Sequence, residues 1–137
     1  MTITQSVSYG NFINGEWRAA ASGEHFENRN PANSDDLVGL FAASGAEDVD
    51  AALTAAANAA DSWRRTSPIA RANILFKAAD ILAARVNEIG RELTREEGKT
   101  LKEGIGETTR AIQILRYYAG EAQQPDGEHY PSANNQT

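Results

Sequence analysis

Helical periodicity runs through residues 44–124 and constrains the fold of this chain more than any other feature. Apolar residues recur there every three or four positions, the spacing that puts one stripe on the face of an α-helix. Ser44-Gly45-Ala46-Glu47 has the spacing of a capping box, so a first helix is predicted from there, with Val49, Leu53, Ala56, Ala60 and Trp63 as its stripe. Ser67-Pro68 predicts a second start, because serine can accept a free helical N–H and proline suits the first helical position. Its stripe runs through Ile74, Leu75, Ala78, Leu82, Val86, Ile89 and Leu93. That run is long for one helix, so a break is predicted between Arg85 and Gly90, with Gly98 as the final cap. Thr100-Leu101-Lys102-Glu103 is a second capping box. It leads a third stripe of Leu101, Ile105, Thr108, Ile112, Leu115, Ala119 and Ala122.

Residues 9–43 read differently. Asn14-Gly15, flanked by Phe12, Ile13 and Trp17, is the strongest short hairpin signal, since both turn residues tolerate positive φ. His25 to Asn30 reads as a second strand stopped by Pro31, which has no N–H for a ladder. Leu37 to Ala42 reads as a third. Residues 125–137 are rich in Pro, Gly, Ser and Asn without Lys or Arg, and read as a linker or an unfinished element. Two readings of that end remain open: a truncated or surviving fragment, or a natural disordered tail.

With 137 residues the chain fits about one domain and could hide roughly two thirds of its unfolded surface. Net charge is −6, without a Lys/Arg cluster, which argues against nucleic acid or anionic membrane as a partner. No run approaches the ~18 consecutive apolar residues of a membrane span. Met1 to Gly10 lacks the basic and apolar regions of a signal peptide, so the expected location is cytoplasmic. Asn135-Gln136-Thr137, a glycosylation pattern, is then a chance match. Cysteine is absent, which removes disulfides, zinc ribbons and a thiol nucleophile from this chain.

The chemical motifs are fragments. Gly98-Lys99-Thr100 ends like a P-loop, but Leu93 stands where its first glycine belongs and no strand precedes it. Gly104-Ile105-Gly106 begins like a dinucleotide fingerprint, but Thr109 replaces the third glycine and the segment lies within a predicted helix. Close packing against a neighbouring element is the expected reason for glycine there. His25 and His129 are the only histidines and have no metal-ligand spacing. Glu96-Glu97 and Glu103/Glu107 read as solvated helix faces, and Tyr117-Tyr118 as one core and one surface ring. Chemistry alone gives a helical domain with a small β element and no visible active site.

Five segments, taken in order, resemble the start of the aldehyde dehydrogenase superfamily: Phe12-Ile-Asn-Gly-Glu-Trp17, Asn30-Pro-Ala-Asn33, Glu47-Asp-Val-Asp-Ala-Ala52 with Trp63-Arg64, Glu92-Leu-Thr-Arg-Glu-Glu-Gly-Lys99, and Arg116-Tyr-Tyr-Ala-Gly-Glu121. The resemblance implies an α/β parent with a Rossmann-like cofactor domain, a catalytic domain and an arm that joins subunits. Residues 1–124 would be the helical layer of the cofactor domain, with strands at about 9–43 and helices at about 44–124; residues 125–137 would be a linker or the start of the oligomerisation arm. This chain alone would be mostly helical with a small N-terminal β element. The implied activity is oxidation of an aldehyde to a carboxylate with NAD or NADP, through a cysteine thiolate, an oxyanion hole and a glutamate that activates water. In the family's order those groups lie beyond Thr137, so the resemblance places no catalytic or cofactor-binding residue here, and neither bound cofactor nor activity is expected of the chain alone.

The resemblance carries over one functional position. Many members bind a monovalent cation through backbone carbonyls just before the Asn-Pro segment and an acidic residue before Gly-Lys. Those positions are Asn28, Arg29 and Glu96 here, with Arg29 acting only through its carbonyl. The family's site also draws a carbonyl from outside this chain, so the site is expected unfilled. Asn30-Pro-Ala-Asn-Ser-Asp-Asp-Leu-Val-Gly39 and Thr94-Arg-Glu-Glu-Gly-Lys99 look most similar to members acting on oxo-acid semialdehydes, such as α-ketoglutaric semialdehyde. The alternative from another class is a non-catalytic helical assembly module. On either reading the expected partners are the rest of the parent enzyme and a second copy of the chain.

Overall fold

The computed structural model describes residues 7–124 and Gly127. The rest of the tail, read above as a linker or arm, lies outside the described residues. Five short strands precede four helices: β1 (Ser8–Tyr9), β2 (Asn11–Ile13), β3 (Glu16–Arg18), β4 (His25–Arg29), β5 (Leu37–Ala42), α1 (Ala46–Arg65), α2 (Pro68–Ala84), α3 (Val86–Glu97) and α4 (Leu101–Glu121). The helical fold with a small β element is the one the periodicity implied.

β2 and β3 form the expected hairpin. Asn14 (φ 53°) and Gly15 (φ 81°) take the two left-handed turn positions, and Ile13 pairs with Glu16. Alternation then turns Ile13 inward and leaves Phe12 and Trp17 outside, where their rings meet at 5.1 Å. The second sheet has the order β1-β5-β4, with β5 parallel to β1 and antiparallel to β4. Tyr9, Phe41 and Phe26 stack across its three strands at 4.8 and 5.9 Å. The β4–β5 register shifts between Asn28 and Arg29, which pair with Gly39 and Leu37, so Val38 of β5 is the extra residue.

The helix starts follow local chemistry, with one correction. The cap residue of α1 is Gly45, not Ser44, so no side chain accepts at the cap, and the carboxylate that reaches back to the cap N–H is Asp48 rather than Glu47. Asp48 wins because it bridges two segments: Oδ2 accepts from Gly45 N–H and Oδ1 from Ala21 N–H, each at 2.9 Å. Those two amides, Gly45 first, hold its carboxyl below the usual range. Ser44 Oγ instead donates to Asn11 Oδ1 at 2.9 Å. Ser67 caps α2 and Pro68 opens it. The expected break falls at Arg85 (φ −114°, ψ 15°), whose N–H turns to Leu82 O at 3.1 Å. Gly98 ends α3 in the left-handed region, and Thr100 with Glu103 forms the capping box of α4.

α4 lies along both α2 and α3, and the seam between them is built from small residues. Ala72, Ala79, Gly90, Gly104, Thr108, Ile112 and Ala119 are the buried positions of these helices. A Cβ on Gly90 would sit 2.7 Å from Ile105 Cγ1 and 2.9 Å from Ile105 Cα. One on Gly104 would strike the Gly90 carbonyl and Thr94 Oγ1. Close packing therefore explains Gly104 as expected, but not Gly106, whose missing Cβ faces open space.

Several large residues of the expected stripes are outside this core. Val49, Leu53 and Trp63 on α1 are 53, 63 and 49% exposed, and Ile74 on α2 is 53% exposed. On α2 the face covered by α4 is centred on Ala72 and Ala79, which turns Ile74 away. The tyrosine pair departs from expectation too: Tyr117 and Tyr118 are both exposed, rings in T-shaped contact at 5.3 Å. No large side chain among the described residues is fully buried.

Candidate functional site at the junction of β4 and α3

Two segments singled out by sequence, residues 28–36 and 95–99, meet at the C-terminal end of α3. Their meeting depends on Gly98. Its φ of 70° suits glycine, and a Cβ there would lie 2.9 Å from Pro31 Cγ and 3.0 Å from Ala32 N. The Asn30-Pro31-Ala32 turn therefore rests directly on the helix cap. Asn30 shapes that turn, accepting from Ala32 N–H at 2.9 Å through Oδ1 and donating to Asp36 Oδ2 at 3.3 Å through Nδ2.

An ion pair clamps the turn to the helix. Arg95 donates to both Asp36 oxygens, at 3.0 and 2.6 Å, and to Leu37 O at 3.2 Å. Hydrogen bonds from Arg95, then Asn30, lower the Asp36 carboxyl from 3.8 to about 2. On the far side of Gly98, Lys99 bridges Glu97 and Glu107, the latter at 2.7 Å. Glu107, then Glu97, raises the Lys99 ammonium above its usual value.

Of the three positions carried over for a cation, the structure brings two side chains together: Asn28 Nδ2 donates to Glu96 Oε1 at 3.3 Å. The Arg29 guanidinium points elsewhere, to Glu27 at 2.9 Å and Ser34 O at 2.9 Å. The side-chain donor that this corner can offer a hard cation is thus the Glu96 carboxylate. Among the described residues no cluster of three His, Cys, Asp or Glu side chains has metal-binding geometry.

Among the described residues, the glycine motifs singled out by sequence do not form a cradle for a dinucleotide phosphate. Gly104 and Gly106 lie inside α4, not in a strand-to-helix turn. The N-terminus of α4, where an anion could bind, is occupied by Glu103, whose Oε2 accepts from Thr100 N–H at 3.0 Å. A groove of about 390 Å³ between α2, α3 and α4 is lined by Leu82, Ile89, Leu93, Glu92, Glu96 and Glu107. Its titratable groups are glutamates alone.

Sequence reasoning missed the clamp, since Asp36 and Arg95 stand 59 positions apart and, although each lies in a segment already singled out, nothing in either segment pairs the two. It also missed Asp48, although a Gly45-x-x-Asp48 spacing was there to be read.

Residues 17–137 match the aldehyde dehydrogenase family. The chain belongs to that family. Its relatives include the alpha-ketoglutaric semialdehyde dehydrogenase of Bacillus subtilis, 48% identical over 132 residues that make up 96% of this chain and 27% of the relative. An NAD-dependent aldehyde dehydrogenase from Sinorhizobium meliloti superposes with a TM-score of 0.84 at 30% identity, over 90% of this chain and 25% of that structure. An NADP-dependent enzyme of E. coli superposes at 0.85 with 32% identity, over 93% and 26%. The chain therefore spans about a quarter of the length of the relatives it matches. The Asn30-Pro-Ala turn, the Gly98 cap and the Asp36–Arg95 clamp all lie within the residues matched to this aldehyde dehydrogenase family.

Proposed function

We propose that this chain is the N-terminal part of an NAD- or NADP-dependent aldehyde dehydrogenase that oxidises an oxo-acid semialdehyde, of the α-ketoglutaric semialdehyde class, to its carboxylate. The observation that carries this is the 48% identity with the Bacillus subtilis semialdehyde enzyme along nearly the whole chain. The chain alone is not catalytically competent. It contains no cysteine, and its only motif resembling a cofactor fingerprint is locked inside α4. NAD or NADP accepts the hydride in the complete enzyme; residues outside this chain hold it. What these residues supply is scaffold: the clamp and the glycine cap fix the turn at 30–36 against the end of α3.

At that corner, Glu96 and the main-chain carbonyls of Asn28 and Arg29 contribute part of a monovalent-cation site, completed by a carbonyl from outside this chain. The Asn28–Glu96 contact, at the register shift between β4 and β5, supports this assignment. A second reading concerns the isolated chain. Ile69, Ile74 and Ile81 on α2, with Ile114, Tyr117 and Tyr118 on α4, are each at least 45% exposed. Apolar surface of this kind favours association, so the isolated chain forms a symmetric dimer.

A fusion of residues 1–137 to the remainder of the Bacillus subtilis relative tests the enzymatic reading. It is expected to retain aldehyde-dependent NAD(P)H formation and a kcat/KM preference for semialdehyde over acetaldehyde. A folded fusion without dehydrogenase activity would reject it.

A further inference from the structure

Asn14-Gly15 is the one Asn-Gly pair in the chain. It forms the whole of the two-residue turn between β2 and β3, with both residues at positive φ. Asn14 is exposed, and nothing lies within 4 Å of the place a Cβ would occupy on Gly15. Gly15 is thus the one residue following an asparagine in this sequence that has no side chain to hinder approach to its amide nitrogen. A two-stranded hairpin with three-residue strands is marginal by itself, and Ile13 is the one buried residue of its two strands. It belongs to the part of the molecule that opens locally at low free energy, and opening frees Asn14 from its turn conformation.

We propose that Asn14 is a site of spontaneous covalent conversion to isoaspartate, and that this conversion releases the hairpin from α1. In the first step the Gly15 nitrogen attacks Asn14 Cγ. The new N–Cγ bond closes a five-membered imide, the Cγ–Nδ2 bond breaks, and ammonia leaves carrying the proton lost from Gly15. Water then opens the ring. Attack at the Asn14 main-chain carbonyl breaks its bond to Gly15 and leaves the chain running through Cγ, as isoaspartate; attack at Cγ gives ordinary aspartate. No oxidant or further reactant is required.

The two products differ in their effect on the fold. Aspartate suits the same turn, for Asp-Gly is a favoured pair at these positions. Isoaspartate adds a methylene to the main chain of a turn that admits two residues, so Ile13 and Glu16 lose their register. A register error turns Ile13 off the buried face. Within the described residues β2 is the principal packing partner of α1, and a groove of about 400 Å³ between them already separates Asn14 and Arg18 from Asp50 and Asn58. Losing Ile13 therefore removes the buried side chain of β2 from its packing against α1 and leaves the Asp48–Ala21 hydrogen bond to carry more of the attachment.

The test is incubation of the 137-residue chain at mildly alkaline pH, with peptide mapping for isoaspartate and hydrogen-exchange mass spectrometry of residues 11–18 and 46–65. Isoaspartate is expected at Asn14 before any other asparagine, Asn33-Ser34 included, and the converted fraction should exchange several-fold faster in both segments. Freshly prepared Asn14→Asp should exchange like the unmodified chain. The proposal is overturned if another asparagine converts first, if the isoaspartate form keeps its protection, or if Asn14→Asp loses protection equally.

Discussion

Gly104 and Gly106 lie two residues apart in α4, yet the structure assigns opposite signs to their replacement by alanine. Each mutation removes a helical glycine, which favours the helix by ~1 kcal/mol. At Gly106 that gain stands alone, because the added methyl meets open space. At Gly104 the methyl would overlap the Gly90 carbonyl and Thr94 Oγ1. The carbonyl is main chain of α3 and cannot rotate away, so α3 and α4 must separate along their small-residue seam. Overpacking of this kind costs roughly 1–3 kcal/mol, and contact with rigid backbone favours the upper half of that range. Net of the propensity gain, Gly104→Ala should destabilise by about 1–2 kcal/mol, while Gly106→Ala stabilises by ~1 kcal/mol. Urea unfolding followed by far-UV circular dichroism resolves this. With a slope of ~1–3 kcal/mol per molar, the midpoints should move in opposite directions by a substantial fraction of a molar. Shifts of the same sign would show that the α3–α4 approach is not as close as described, or that the seam yields without cost.

Three further outcomes follow from the clamp, the cap and the exposed faces. Asp36→Asn should destabilise the chain at neutral pH. The Asp36 carboxyl falls from 3.8 to about 2 on folding, so its contribution is present above pH 3.8 and is lost as the pH drops through 2. The gap in urea midpoint between wild type and Asp36→Asn should thus be full at pH 6 and closed near pH 2; a constant gap would reject the ion pair as its source. Thr100→Ala should cost ~1 kcal/mol by removing the N-cap of α4, read as a lower urea midpoint, whereas Ser44→Ala should not uncap α1, because Gly45 and Asp48 do that work. Sedimentation velocity from micromolar to hundred-micromolar concentrations should show the chain passing to dimer; a single monomeric species throughout would mean that the apolar faces stay solvated.

What the sequence disclosed was local. Asn14-Gly15, Ser67-Pro68, Gly98 and Thr100-x-x-Glu103 each specify a conformation within a few residues, and each appears where the spacing put it. The slip at Ser44 has the same origin: Ala21, a distant donor, decides which carboxylate completes the α1 cap. Longer-range features were not legible. The parallel pairing of β1 with β5 involves a two-residue strand too short to show a pattern. The Asp36–Arg95 clamp joins positions in separate elements. Helical spacing revealed that α1 and α2 have apolar stripes, but not which stripes this chain can cover, because periodicity reports a face and not its partner. Of the corner proposed to hold a cation, family resemblance located Asn28, Arg29 and Glu96. The Gly98 cap was legible too, but its contact with the Pro31 turn and the Asp36–Arg95 ion pair come from the structure.

The central claim is that these residues are the N-terminal part of an aldehyde dehydrogenase and supply its scaffold rather than its chemistry. Fragment complementation tests it most directly. Residues 1–137 would be co-expressed with the Bacillus subtilis relative deleted of its matching segment, and NADH formation from semialdehyde measured for each piece and for the pair. The account predicts no activity from either piece and activity from the pair. NADH formation by residues 1–137 alone would contradict it, as would a pair that assembles and remains inactive.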